Sequence, residues 1–204
     1  MKSWPFRKAR RLAPLLPILL AGCVDARLSV EVTSPATASV AVTQEVRAET
    51  MIALDVRAGK TNTVDGFQSF CRGGARTLRA ARGVSCTRQA SGTFRTIMGA
   101  RSMAAPVQFA SAGPDLVRVS IPIAAVEAQI AAHQPRDADA LAALPALLAG
   151  RGLTLHVEGG TVVSSNMDIA ADLQAADKKI SLLGLLQHSS KLPEEYFAVL
   201  RVHP

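Results

Sequence analysis

The sequence predicts an α+β fold, a mostly antiparallel sheet of short strands with a few packed helices. Three observations carry that prediction. Apolar and polar residues alternate in several short stretches, the first placing Leu28, Val30 and Val32 against Arg27, Ser29, Glu31 and Thr33, and period-two alternation marks a strand with one buried face. Turn chemistry recurs between such stretches, at Ser34 to Thr37, at Gly113, Pro114 and Asp115, and at Gly159 and Gly160. Helical spacing appears only in short segments, as at Ile123, Val126 and Ile130. Strands joined by tight turns pair antiparallel, and a few helices then cover one face of the sheet.

Taken in order, the first strand turns at Ser34 to Thr37 into a second, in which Val40, Val42 and Gln44 share one parity and Ala41, Thr43 and Glu45 the other. Between Glu49 and Gly59, Met51, Ile52, Leu54 and Val56 fit a short helix and an irregular segment equally well. Thr61 to Phe70 reads as a turn and a short helix, with Asp65 placed to cap it and Phe67 and Phe70 on one face. Leu78 to Ala80 and Val84 to Thr87 make a second hairpin about Arg82 and Gly83, followed by a helical turn carrying Phe94, Ile97 and Met98 from a start at Ser91 or Thr93.

Val107 to Ser111 and Leu116 to Ile123 form a third hairpin, with Pro122 closing it or lying on an edge. A helix through Ile123, Val126 and Ile130 then stops before Gln134 and Pro135. Leu141, Leu144 and Leu148 repeat helical spacing in the Ala-rich segment from Asp137 to Ala149, which Pro145 kinks or divides and Gly150 ends. At about a dozen residues, that run is a packing helix and not a membrane span. Leu153, Leu155 and Val157 then alternate with Thr154, His156 and Glu158, and the glycine pair returns the chain through Thr161 to Ser164. Ile169 to Leu173 pairs further, Ala175 to Lys178 reads as a turn, Ile180 to Leu186 as a buried strand, and Tyr196 to Val202 as a last alternating strand. The expectation is roughly eight to ten short strands and three or four helices in one domain.

Ahead of that domain, the basic head Lys2, Arg7, Lys8, Arg10 and Arg11 is followed by an apolar run from Leu12 to Ala21. The run is too short to span a bilayer as a stable helix and has the form of a secretory signal peptide. Leu20, Ala21, Gly22 and Cys23 resemble the lipobox of bacterial lipoproteins, in which the cysteine is acylated and becomes the new N-terminus. The expected organisation is a signal peptide over residues 1–22 and a single periplasmic α+β domain over 23–204, with palmitate or a similar acyl group on Cys23. Almost no linker separates Cys23 from the first strand, so the domain is expected to ride close to the membrane surface. Val24 follows the cysteine and Asp25 comes one later, so the aspartate retention signal known from enteric lipoproteins is absent from its usual place. This favours the outer membrane over the inner.

The basic head accounts for most of the formal charge of +7, so the remaining domain is nearly neutral despite a pI near 9.9. The only Trp, Trp4, lies in the head as well, leaving Phe67, Phe70, Phe94, Phe109, Tyr196 and Phe197 as the aromatics. Neither the charge nor the aromatics suit nucleic acid as a partner. With Cys23 taken by the anchor, Cys71 and Cys86 remain, and in an oxidising compartment they are best read as one disulfide closing a loop of about 15 residues.

The lipobox running into Arg27 to Val46, with the apolar strand that leads into Glu158, Gly159, Gly160, Thr161, Val162, Val163, Ser164, Ser165 and Asn166, resembles the mycobacterial LppM group of lipoproteins. The resemblance covers about a third of the residues after the signal, and turn residues carry it more than site residues. It implies a mixed sheet and helix domain that binds or senses membrane lipid, with no catalytic residues to carry over. The Ala-rich segment and the Cys71 and Cys86 pair depart from that group, as does the absence of a second apolar span after the domain.

The sequence contains no GxSxG, HExxH, P-loop or SxxK motif, and no catalytic residue or cofactor is expected. His156 and Glu158 share a strand face and would need a third group to ligate a metal; they read better as the solvated side of an antiparallel strand, so no metal site is expected. Asp137 with Asp139, and Asp168, Asp172 and Asp177, sit near helix starts and turns, where carboxylates usually cap or solubilise. Between Asp65 and Asp115 there is no acidic residue, yet Arg72, Arg76, Arg79, Arg82, Arg88, Arg95 and Arg101 fall there. Arg76, Arg79 and Arg82 are the expected contacts for anionic lipid headgroups, and Leu141, Leu144 and Leu148 the expected lining of a groove for a lipid or other amphiphile. The alternative is a structural or assembly lipoprotein that contacts an envelope protein or peptidoglycan.

Overall fold

The computed structural model describes residues 24–46, 75–79, 83–99, 106–131, 145–146, 148–187 and 191–202. Eleven strands and three short helices are formed among them. A seven-stranded sheet contains β1 (Val24–Ser34), β2 (Thr37–Val46), β3 (Ala75–Arg79), β4 (Gly83–Thr93), β7 (Gly152–Glu158), β9 (Asp168–Ile169) and β10 (Ala175–Ser181), in the order β3-β4-β2-β1-β7-β10-β9. A four-stranded sheet contains β5 (Gln108–Gly113), β6 (Leu116–Pro122), β8 (Thr161–Ser165) and β11 (Glu195–Arg201), in the order β5-β6-β11-β8. The helices are α1 (Phe94–Gly99), α2 (Ile123–Ala131) and α3 (Leu182–Leu186). The fold is α+β and mostly antiparallel, as its alternating pattern predicts.

The apolar parity of each strand faces one shared core. Leu28, Val30 and Val32 of β1, Leu155 and Val157 of β7, and Ala176 and Ile180 of β10 meet Val117, Val119 and Ile121 of β6 and Tyr196, Ala198 and Leu200 of β11. Each fully buried Val, Leu or Ile side chain contributes about 1.5–3 kcal/mol, so this interleaved row of aliphatics supplies most of the driving force. Phe94 of α1 stacks on Phe109 of β5 with ring centroids 4.5 Å apart, and the Phe94 amide donates to the Ala36 carbonyl at 3.1 Å. These contacts hold the second sheet to the turn of the first hairpin.

Several expectations require correction. Ala175 to Lys178 is not a turn: β10 pairs antiparallel with β7, with Ala176 and Ile180 buried on one parity. The turn lies just before it, where Asp172 Oδ1 accepts from the Gln174 amide at 3.0 Å and Leu173 takes a left-handed φ of 59°. Ile180 to Leu186 is not one buried strand, because the Ser181 hydroxyl accepts from the Gly184 amide and starts α3 there. Of Ile169 to Leu173, only Ile169 pairs, as the end of β9. Strand β4 runs on to Thr93 through Ser91 and Gly92 because β2 offers a ladder partner along its whole length. The clearest departure from an all-hairpin arrangement is the parallel pairing of β1 with β7, from Ala26 against Leu153 to Glu31 against Glu158.

Of the two expected helix starts, Ser91 lies within β4 and Thr93 is the one observed, its hydroxyl accepting from the Thr96 amide at 3.2 Å. The segments 49–59 and 61–70, and most of the Ala-rich segment, lie outside the described residues.

The chain passes from one sheet to the other at Gly159 and Gly160. Gly159 has a φ of 108°, and a Cβ there would overlap the Val32 carbonyl; a Cβ on Gly160 would overlap the Arg201 carbonyl. Both obstacles are backbone atoms of packed strands, which cannot swing aside as a flexible side chain can. Gly159→Ala and Gly160→Ala are each expected to lower the unfolding free energy by about 3 kcal/mol or more. Gly99→Ala, where a Cβ meets nothing within 4 Å, is expected to change it little. Urea denaturation of the three variants checks this ranking.

Candidate functional site

Strand register brings several strand ends together at one end of the seven-stranded sheet. Val24 of β1 stands opposite Val46 of β2, and Val46 opposite Val84 of β4. Leu78 and Arg79 of β3 stand opposite Val84 and Gly83, so the β3–β4 turn lies at this same end. On the other side of β1, the first residue of β7, Gly152, stands opposite Ser181, the last residue of β10. The two outer features therefore flank the start of β1.

Asp25 ties this end together. Its Oδ1 accepts from the Gly152 amide at 3.1 Å, and its Oδ2 accepts from Arg151 Nη1 at 3.1 Å. The Arg151 carbonyl accepts from the Leu182 amide at 3.1 Å, which seats α3 on the same loop. One carboxylate next to the chain entry thus fixes the start of β7, and through it the position of α3.

The predicted site residues distribute as follows. Cys23 lies outside the described residues, immediately before β1. Arg79 stands opposite Gly83 at the turn, and Arg76 opposite Cys86, further along the strand. Arg82 lies outside the described residues, directly before Gly83. Cys86 is buried, and Cys71 lies outside the described residues. Leu148 is buried, whereas Leu141 and Leu144 lie outside the described residues. The acid-free arginine stretch does not gather at one end: Arg95 sits on α1, beyond the Thr93 end of β4, and Arg88 stands opposite Val42 in between.

His156 is the best-connected ionisable side chain on the outer face of the large sheet. Its Nδ1 lies 2.8 Å from Asp177 Oδ1, and its Nε2 lies 3.3 Å from Glu158 Oε2. Asp177 stands directly across from it on β10, a partner hidden by the reading of that segment as a turn. The two carboxylates engage opposite edges of the ring, so the three groups do not converge on one point. Among the described residues no group of three or more His, Cys, Asp or Glu side chains is placed to hold a metal ion. Asp168 lies 3.4 Å from Lys178 Nζ, and Asp172 shapes the turn, so these carboxylates have structural work.

On the outer face of the small sheet, Arg118 pairs with Glu195 and lies 3.9 Å above the Phe197 ring. Asn166 continues the edge where β8 ends, accepting from the Phe197 amide and donating to the Glu195 carbonyl, both at 2.8 Å. No helix among the described residues is long and apolar enough to cross a membrane.

The chain matches no known family model and no curated protein. Among solved structures it is similar to the NMR structure of the folded domain of LppM from Mycobacterium tuberculosis, at 12% identity and a TM-score of 0.43, over 89% of this chain and 91% of that one.

Asp25→Ala removes the acceptor of the Gly152 amide and the partner of Arg151. Because the carboxylate is partly solvated, the expected loss is modest, about 1 kcal/mol of stability. Asp25→Asn, which retains an acceptor for the amide, is expected to cost less. Urea melts of both variants against the parent chain provide the comparison.

Proposed function

We propose that the chain is an exported lipoprotein, acylated on Cys23, whose α+β domain binds lipid or another amphiphile at the membrane surface. The observation that supports this best is the shared row of Val24, Val46 and Val84, which puts the residue after Cys23 at the same end of the sheet as the β3–β4 turn. Neighbouring strands lie about 4.8 Å apart, so the turn stands about 14 Å from the start of β1. Acyl chains on Cys23 bring the headgroup layer to this end of the domain. Arg79 ends β3 at this end of the sheet, Arg76 precedes it on the same strand, and Arg82 comes directly before β4 in sequence; each well-placed arginine near an anionic surface contributes on the order of 1 kcal/mol.

In this reading the segment from Ile123 to Ala149 closes a groove against the sheet. Leu148 is one lining residue, with Leu141 and Leu144 as its expected companions. The outer membrane is the favoured location.

A second reading is an assembly lipoprotein that contacts an envelope protein or peptidoglycan. It is supported by Val163 on β8, Ile169 on β9 and Leu173 in the following turn, which are 49%, 41% and 48% exposed. Strands β8 and β9 are the outer strands of their sheets, and an exposed apolar edge is a ready surface for a partner strand.

Replacing Arg76, Arg79 and Arg82 together with Gln in a soluble Cys23→Ser form tests the headgroup reading. Sedimentation with phosphatidylglycerol vesicles at low salt is expected to show binding weakened by roughly 100-fold. Unchanged binding refutes the role given to these residues. The same Cys23→Ser protein, denatured without reductant, is expected to expose no titratable thiol if Cys71 and Cys86 form the proposed disulfide. Two thiols would refute it.

A further inference from the structure

Two polar side chains stand side by side on the core-facing parity of the large sheet. Gln44 shares its parity on β2 with Ala38 and Val40, which lie in the shared core, and Arg88 shares its parity on β4 with Ala90, which packs against that core. Across the strands Gln44 stands opposite Cys86 and Val42 opposite Arg88, so the two are diagonal neighbours. Diagonal positions in an antiparallel pair are about 7–8 Å apart, within reach of long side chains. Gln44 is 8% exposed, and Arg88 is half-buried. Among the described residues none hydrogen-bonds the Gln44 side-chain amide, and none pairs with the Arg88 guanidinium. A buried amide without a partner costs stability, and folds keep few of them.

Around this pair the face is apolar and carries no acid. Val46 and Val84, one row nearer the start of β1, are buried without belonging to the shared core. Ala26 of β1 stands opposite Gln44 on its other side. The inward parity of β1, β2 and β4 holds no carboxylate, because Asp25, Glu31 and Glu45 all fall on the opposite parity. A cation and an amide donor thus meet in apolar surroundings, with no anion on these strands to take them up.

We propose that Gln44 and Arg88 receive the carboxylate of a fatty-acid-like amphiphile on the inward face of β2 and β4. The Arg88 guanidinium neutralises the single charge, and the Gln44 side-chain amide donates to a carboxylate oxygen, which gives that amide the partner it lacks. A phosphodiester would carry a further polar substituent into surroundings set by Val46 and Val84, and a free inorganic anion would leave that apolar surface unused. The inference rests on the amphiphile-binding reading above and names a site and a head group for it. It does not depend on an acyl group at Cys23.

The test titrates the full chain carrying Cys23→Ser, after delipidation, with cis-parinaric acid, whose conjugated chain fluoresces on binding, and with the corresponding alcohol. The parent is expected to bind the acid more tightly than the alcohol. Arg88→Met, which keeps the length and removes the charge, is expected to weaken the acid by about tenfold or more and to leave the alcohol unchanged. Gln44→Met is expected to weaken the acid several-fold and, by removing an unbonded buried amide, to raise the urea midpoint of the empty protein. If both variants bind the acid as the parent does, or the parent binds acid and alcohol alike, the site is wrong and the amphiphile reading stands. A lower urea midpoint for Gln44→Met shows that the amide is bonded within the fold and likewise overturns the inference. A parent chain that binds neither probe overturns the amphiphile reading, and the inference with it.

Discussion

The fold depends on a close passage of backbone, where Gly159 and Gly160 lie against the carbonyls of Val32 and Arg201. Strand β7 ends there beside β1, and β8 begins there beside β11. With side chains at these two positions the strands would stand further apart, and the aliphatic layer between the sheets would lose contacts that fall off steeply with distance. The passage also sets direction. Because β7 runs parallel to β1, its start lies at the same end as Val24, and so do the end of β10 and the helix that follows.

Much of the sheet is legible in the sequence because its signals are local. Leu28 to Val32 and Tyr196 to Leu200 carry alternation that survives intact in the fold, and Leu116 to Ile121 departs from it only at Ser120, which is buried. The failures share a cause. Ala175 to Lys178 looks polar and small, and only its pairing with β7 makes Ala176 a core residue. Ile180 to Leu186 looks uniformly apolar, and a single hydroxyl, Ser181, decides that its second half is helical. The parallel partnership of β1 and β7 has no local signal, because it joins segments far apart along the chain and is chosen by the way both bury their aliphatic parity.

The candidate site divides in the same way. The nearness of Cys23 to a strand and the concentration of arginines after Asp65 can be read directly from the letters. That the β3–β4 turn shares an end with the start of β1 follows only from two successive registers, and it separates Arg79 from Arg95, which sequence density had placed together. The partner of Asp25 was hidden more thoroughly, since Arg151 lies 126 residues away. Asp177 was missed as a neighbour of His156 because a residue assigned to a turn has no cross-strand partner to look for.

Strand β1 lies inside the seven-stranded sheet, hydrogen-bonded to β2 on one side and to β7 on the other. A force applied to the chain at Val24 acts along the strand and loads both ladders in shear, so the bonds share the tension instead of opening one after another. The same force applied to an edge strand from its side would unzip it. Asp25 adds a bond near the point of loading and passes part of the tension to β7 and the crossing beyond it. Pulled from this end, the domain resists through many bonds at once.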